Sequence, residues 1–198
     1  MGDPMGCDDD LAATLARSCR EPEAFADVVR ALSPPIHAYF ARRAARDADD
    51  LLAELWVRAY AARRTFDPAR GTVRVWSFGI ARYVLLAHWR RVVDLPHDGA
   101  AHEGTSDPWP EVDDRLAAAA VAPALRAAIA ELPAVERELL LLVAWDGLTP
   151  TEAAAVVGVP APTARTRLFR ARERIRERLA DTAQVGVLAS DSTRGVTS

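Results

Sequence analysis

Apolar positions recur along this chain at three- and four-residue steps, and nowhere alternate with polar ones over the length of a strand, so nearly all of it reads as helix. A first helix is predicted from about Asp9 to Arg20, with acids in its first turn. Glu21-Pro22 breaks it, a second helix covers Glu23 to about Leu32, and Ser33-Pro34-Pro35 ends that one. The two prolines suit the first turn of a third helix, Ile36 to about Ala45, where a missing amide donor costs little. A fourth helix is expected from about Ala48 to Arg64, then a turn from Thr65 to Gly71. A fifth runs from about Thr72 to Arg91, with Val73, Trp76, Ile80, Val84 and Ala87 on one face.

Val92 to Pro110 departs from this pattern. Pro, Gly and acids dominate it, so it reads as a linker. Helix resumes between about Val112 and Glu131, breaks at Leu132-Pro133, and returns over about Ala134 to Asp146. Thr182 to Ser198 is small and polar without an apolar period, and is expected to be a disordered tail.

Gly147 to Leu179 carries the most information. Gly147 can terminate the preceding helix. Thr149 can cap the next, with Pro150 at its first position and Glu152 in capping-box spacing. Gly158-Val159-Pro160 is a tight turn, and Pro162 can start a longer helix that continues through Leu179. Helix, glycine turn, longer helix is the helix-turn-helix plan. In the longer helix Ala164, Leu168, Ala171, Ile175 and Leu179 make the face expected to be buried, and small Ala153 and Ala154 on the first helix allow a close crossing. Thr163, Arg165, Thr166, Arg167, Phe169, Arg170 and Arg172 are the candidate DNA contacts, because the N-terminal half of such a helix meets base edges in the major groove. Arg bonds a guanine edge through two donors, and Phe packs on a thymine methyl. The Arg/Glu repeat from Arg172 to Arg178 reads more simply as a solvated helix face. The predicted fold class is therefore all-α, two small helical domains joined by a flexible acidic linker, the C-terminal one a helix-turn-helix.

Net charge is -3, but the distribution matters more than the sum. Arg58 to Arg91 holds eight Arg against the single acid Asp67, and Pro150 to Leu179 holds seven Arg against Glu152, Glu173 and Glu177. Between them, Val92 to Asp114 has seven acids and no Arg. Two basic blocks suited to phosphates flank an acidic connector. All 25 basic residues are Arg, which reads first as a coding bias. Cys7, Cys19, His37, His88, His97 and His102 have no metal-ligand spacing, so no metal or other cofactor is expected. The acidic N-terminus is unlike a secretory signal and no apolar run is of membrane-spanning length, so a cytoplasmic protein without membrane contact is expected. No nucleophile-base set and no phosphate-cradling glycine loop is found, so an enzyme is not expected.

The stretch Asp47 to Arg91 resembles region 2 of the extracytoplasmic-function RNA polymerase sigma factors. The resemblance lies in Ala48-Asp49-Asp50-Leu51, in Glu54 to Tyr60, in Phe-Asp-Pro-Ala-Arg-Gly from Phe66 to Gly71, in Trp76 to Arg82, and in His88 to Arg91. Ala134 to Leu179, with Leu-Pro-x-x-x-Arg at Leu132 to Arg137, likewise resembles region 4. The family carries a polar residue where Ala53 stands, Asn at Tyr83 and Asp at Ala87, so minus-ten preference is expected to be unusual. The resemblance implies region 2 over residues 8–92, a linker over 93–115, region 4 over 116–181 and a tail over 182–198. It implies that Asp49, Asp50, Leu51, Glu54 and Arg58 bind core RNA polymerase. Phe66, Asp67, Arg70, Arg74, Arg82 and Tyr83 would hold the melted minus-ten strand, with Trp76, Phe78 and Trp89 as candidate stacking rings. The second helix of the helix-turn-helix would read minus-thirty-five duplex, and the linker would thread the polymerase cleft or serve as a tether. Partners would be core RNA polymerase and promoter DNA. Such factors are often held by an anti-sigma factor, and the free protein would be a monomer. The rival reading is a helix-turn-helix repressor or activator, which would dimerise on a palindrome; a helical scaffold without DNA activity is the third.

Overall fold

The computed structural model describes the backbone of residues 4–94 and 122–194, and side chains of residues 10–92 and 123–181. All regular structure among them is helical. The helices are α1 (Pro4–Arg17), α2 (Phe25–Ala41), α3 (Ala48–Ala62), α4 (Val73–Asp94), α5 (Ala122–Ala130), α6 (Ala134–Ala144), α7 (Pro150–Val157) and α8 (Ala161–Arg194), with single 3-10 turns between several of them. The first four pack together, and so do the last four. Most of the expected linker lies outside the described residues.

One expected boundary disappears. The second and third predicted helices are a single helix, α2, running through Pro34 and Pro35. Two prolines inside a helix remove two hydrogen bonds, at about 3 kcal/mol or more each. What outweighs this is a continuous apolar face: Phe25, Val28, Leu32, Ile36, Tyr39 and Phe40 are all buried. Burying such side chains is worth about 1.5–3 kcal/mol apiece. The segment is also tied across to α3, where Trp56 Nε1 donates to Ser33 Oγ at 3.0 Å, and the Phe25 ring meets Trp56 and Tyr60 edge-on.

The fifth predicted helix exists as α4, but its buried face differs. Val73, Val75, Phe78, Ala81, Val84 and Leu85 are buried, whereas Trp76 and Ile80 are half-buried. The helix is covered from two sides, by α1–α3 and by α7, so a one-stripe reading misplaces it. The turn before it is firmly built. Asp67 accepts the Ala69 amide at 3.0 Å, Gly71 adopts φ +147°, which favours glycine, and Thr72 Oγ1 accepts the Val75 amide at 3.2 Å.

In the C-terminal half the expected punctuation is present. Arg137 donates to the carbonyls of Ala130 and of Leu132, the latter at 3.1 Å, locking α6 onto the end of α5. That contact gives the Leu-Pro-x-x-x-Arg pattern a structural reason. Thr149 and Glu152 form a reciprocal capping box at the start of α7. Gly147 and Gly158 take left-handed φ of +67° and +80°, ending α6 and α7 where a side chain would be strained. Ala153, Ala154, Ala164, Leu168 and Ala171 are buried at the α7–α8 crossing, with Ile175 half-buried. The backbone of α8 stays helical to Arg194, past the point where a disordered tail was expected from Thr182.

Candidate nucleic-acid interface

The N-terminal half of α8 presents a coherent surface. Arg165, Thr166, Phe169, Arg170 and Arg172 are exposed, and Thr163 and Arg167 are half-buried. Phe169 is 64% exposed, uncommon for a ring of that size unless it has a surface to meet. Thr166 Oγ1 donates to the Pro162 carbonyl at 3.1 Å, which fixes its rotamer. Arg165, Arg167, Arg170 and Arg172 have no hydrogen bond or ion pair among the described residues. One turn further on the situation reverses: Arg174 pairs with Glu136, Arg176 with Glu173 and Arg178 with Glu131. The Arg178 hydrogen bond holds the Glu131 carboxyl below its usual range. The latter half of α8 thus spends its arginines on its own domain, and the former half keeps them available.

The second site is an open cleft of about 830 Å³. Phe66, Asp67, Arg70, Trp76 and Tyr83 line it from the N-terminal domain. Asp67 and Arg70 are exposed, and Tyr83 is 54% exposed. Trp76 meets Phe66 edge-on at 5.7 Å, so its ring is both part of the wall and anchored. Of the other candidate stacking rings, Trp89 is half-buried, while Phe78 is fully buried against Tyr39 and leaves the set. The remaining two candidates, Arg74 and Arg82, point to the C-terminal domain instead. Arg74 donates to the Asp146 carbonyl, and Arg82 makes a two-pronged contact with Glu138, at 2.8 and 3.1 Å.

The third set, on α3, is mostly a surface. Asp49 and Asp50 are exposed, Asp49 with His37 at 3.1 Å. Arg58 is exposed, bonds Glu54 and lies over the Tyr83 ring. Burial alone would raise the Glu54 pKa, but hydrogen bonds from Arg58 and Arg91 outweigh it and hold the carboxyl below its usual value. The Glu54 hydrogen bond in turn raises Arg58. Leu51 is a correction: it is 2% exposed and packs in the core, so it supports this face from below. An apolar residue missed there is Val57, 72% exposed and one turn from Glu54. Sequence reasoning also missed Arg42, Arg43, Glu138 and Asp146. Asp146 has a fully buried side chain, bonded by Arg42 and, at 2.9 Å, by the equally buried Arg43.

Among the described residues no group of His, Cys, Asp and Glu is arranged to hold a metal ion, and no helix is long and apolar enough to cross a membrane.

Comparison with known proteins agrees with this geometry. The profile described as Sigma-70 region 2 matches residues 28–93, and that described as Sigma-70, region 4 matches residues 123–175. The chain is 35% identical over 137 residues to the probable RNA polymerase sigma-C factor of Mycobacterium bovis, covering 64% of this chain and 66% of that protein, just under two thirds of it. It is 32% identical over 170 residues to the ECF RNA polymerase sigma factor SigF of Caulobacter vibrioides, covering 79% of this chain and 86% of SigF. Among solved structures it is similar to CnrH, determined in complex with the cytosolic domain of CnrY, with TM-score 0.60, 27% identity, and coverage of 88% of this chain and 97% of that one. A profile for each domain, in this order, and a relative aligned over most of its length place the chain in the family of extracytoplasmic-function RNA polymerase sigma factors.

Proposed function

We propose that this protein binds bacterial core RNA polymerase and directs it to promoters. The exposed part of α3, with Asp49, Asp50, Glu54, Arg58 and Val57, is its docking face on the polymerase. The Phe66–Tyr83 cleft holds the melted minus-ten strand, its rings offering stacking surfaces that offset the few kcal/mol of extruding a base. The α8 face reads minus-thirty-five duplex. The reaction chemistry belongs to the polymerase, and the chain contributes positioning alone.

The observation that carries this reading is the pairing of a region 2 domain with a region 4 helix whose first four arginines have no partner among the described residues. A repressor or activator would need the helix-turn-helix but has no use for the rest. CnrH was solved with a protein fragment bound, and by analogy an anti-sigma factor is the expected inhibitor of this chain.

Co-elution tests the docking face. Mixed with bacterial core RNA polymerase, the chain should elute with it in gel filtration, and Asp50→Arg with Val57→Glu should abolish this while leaving the helical circular dichroism unchanged. A chain that never co-elutes, even when shown free of bound inhibitor, contradicts the proposal.

A further inference from the structure

On α4, Trp76, Gly79, Ile80 and Tyr83 recur at three- and four-residue steps and line the cleft together. Trp76 and Tyr83 thus stand two turns apart on one helix face, with Gly79 between them. A glycine inside a helix costs stability relative to alanine. No neighbour in the fold requires one here, because a Cβ at Gly79 would meet nothing within 4 Å. What the glycine provides is helix surface left open between two rings. Trp76 is anchored by Phe66, and Tyr83 is largely exposed. Arg58 completes the enclosure from α3. It lines the same cleft, and its guanidinium lies over the Tyr83 ring, 5.3 Å from the centroid. Glu54 Oε1 accepts from Arg58 Nε at 2.9 Å and from its Nη2 at 2.7 Å, while Glu54 Oε2 accepts from Arg91 Nη2 at 3.0 Å. The carboxylate is braced from both helices, and the arginine it holds keeps its Nη1–Nη2 edge outside that ion pair.

We propose that Gly79, Tyr83 and the Glu54-held Arg58 form a notch for one unstacked nucleobase, and that the notch prefers guanine. This rests on the proposed role of the cleft and deepens it from strand binding to base selection. The Tyr83 ring supplies a stacking face that suits any base. Gly79 lets the base lie against the helix, where a side chain would hold it off. Selection comes from Arg58, which carries donors and no acceptor. Guanine offers two adjacent acceptors, O6 and N7, whereas adenine sets a donor beside its N7. A guanidinium held in one orientation meets the first edge with two hydrogen bonds and the second with one. Glu54 is then a positioning residue, fixing the plane of Arg58 without touching the base. Arg58 stands on α3 beside the docking residues and lines the cleft as well, so it serves the rim that the two surfaces share.

The test is anisotropy titration of the full chain with fluorescein-labelled octamers of abasic deoxyribose that carry one guanine, one adenine or no base. The wild type should bind the guanine strand about tenfold more tightly than the adenine strand, and the adenine strand more tightly than the bare one. Tyr83→Ala should bind all three alike, and Tyr83→Phe should keep the wild-type order. Glu54→Ala should bring the guanine-to-adenine ratio close to one while still favouring a base over none, a change that removal of an acid does not by itself produce. Gly79→Ala should weaken both base-bearing strands while raising the melting temperature by about 2–4 °C. Equal binding of the three strands by the wild type overturns the notch, and so does an unaltered order in Tyr83→Ala. A Gly79→Ala variant that melts higher and binds unchanged overturns it too. Initiation with bacterial core RNA polymerase is measured on the same preparations. If the chain initiates without these preferences, the notch falls and the sigma reading stands. If it shows them without docking on the polymerase, the sigma reading falls and the notch stands.

Discussion

Two sets of arginines in this molecule have opposite fates in the structure. Arg165, Arg170 and Arg172 stand exposed on α8 with no partner among the described residues. Arg42, Arg43, Arg74 and Arg82 are each bonded to the other domain. Arg74 and Arg82, like the α8 set, fall in a block that looks like a phosphate-binding patch when charges are counted along the chain. The difference lies in what they face. An acid on the same helix is visible in the local sequence, whereas the Asp146 carboxylate is 103 and 104 positions from the arginines that bond it. Positive charge in a sequence therefore reports capacity to bind nucleic acid, and pairing decides which part of that capacity is free.

The most severe way to break the comparison is Asp146→Ala. It leaves two guanidinium groups at the interface without their carboxylate, and breaking one side of a buried pair costs about 3–5 kcal/mol. Urea unfolding should register a loss of that size; a loss under about 1 kcal/mol, the range of exposed pairs, would mean the contact is superficial. Next is Arg170→Ala on the free set. It should leave stability within about 0.5 kcal/mol while weakening specific duplex binding by about 1–3 kcal/mol. Anisotropy titration against salt checks this, since a phosphate contact would instead lower affinity on all sequences alike and reduce the salt slope by about 1.

A smaller effect concerns pH. The Glu54 carboxyl has a lowered pKa in the folded protein. Its stabilising contribution is present above its unfolded value and is lost as pH falls through the lower folded one. Melting temperature should therefore decline on acidification below the ordinary carboxylate range, and Glu54→Gln should flatten that part of the profile. Smallest of all is Arg176→Ala. Its pairing with Glu173 is exposed and within one helix, so stability should change by no more than about 0.5 kcal/mol and duplex binding should not change. A marked loss of binding would extend the reading face beyond the free arginines and blur the contrast.

Legibility in the sequence followed the range of the interactions. The capping box at Thr149 and Glu152, the left-handed glycines and the buried face of α8 were readable because each is set within a few residues. Of the paired arginines on α8 only Arg176 was separable from the free ones by an interleaved acid, Glu173, because Arg174 and Arg178 pair with Glu136 and Glu131 on other helices or turns. Pro34 and Pro35 misled because local propensity says break and only tertiary burial of the α2 stripe says continue. Leu51 and Phe78 were misassigned to function because their motifs place them beside surface residues, while α3 and α4 turn them inward. The α4 face was misread because a second domain covers the side that would otherwise be solvent.

Run-off transcription with purified bacterial core RNA polymerase on pooled genomic promoter fragments tests the central claim most directly. New start sites sharing two spaced, unlike boxes should appear only when the chain is added, and Arg165→Ala with Arg170→Ala should weaken dependence on the upstream box. No added transcripts, from a chain shown to be folded and free of inhibitor, would contradict the account.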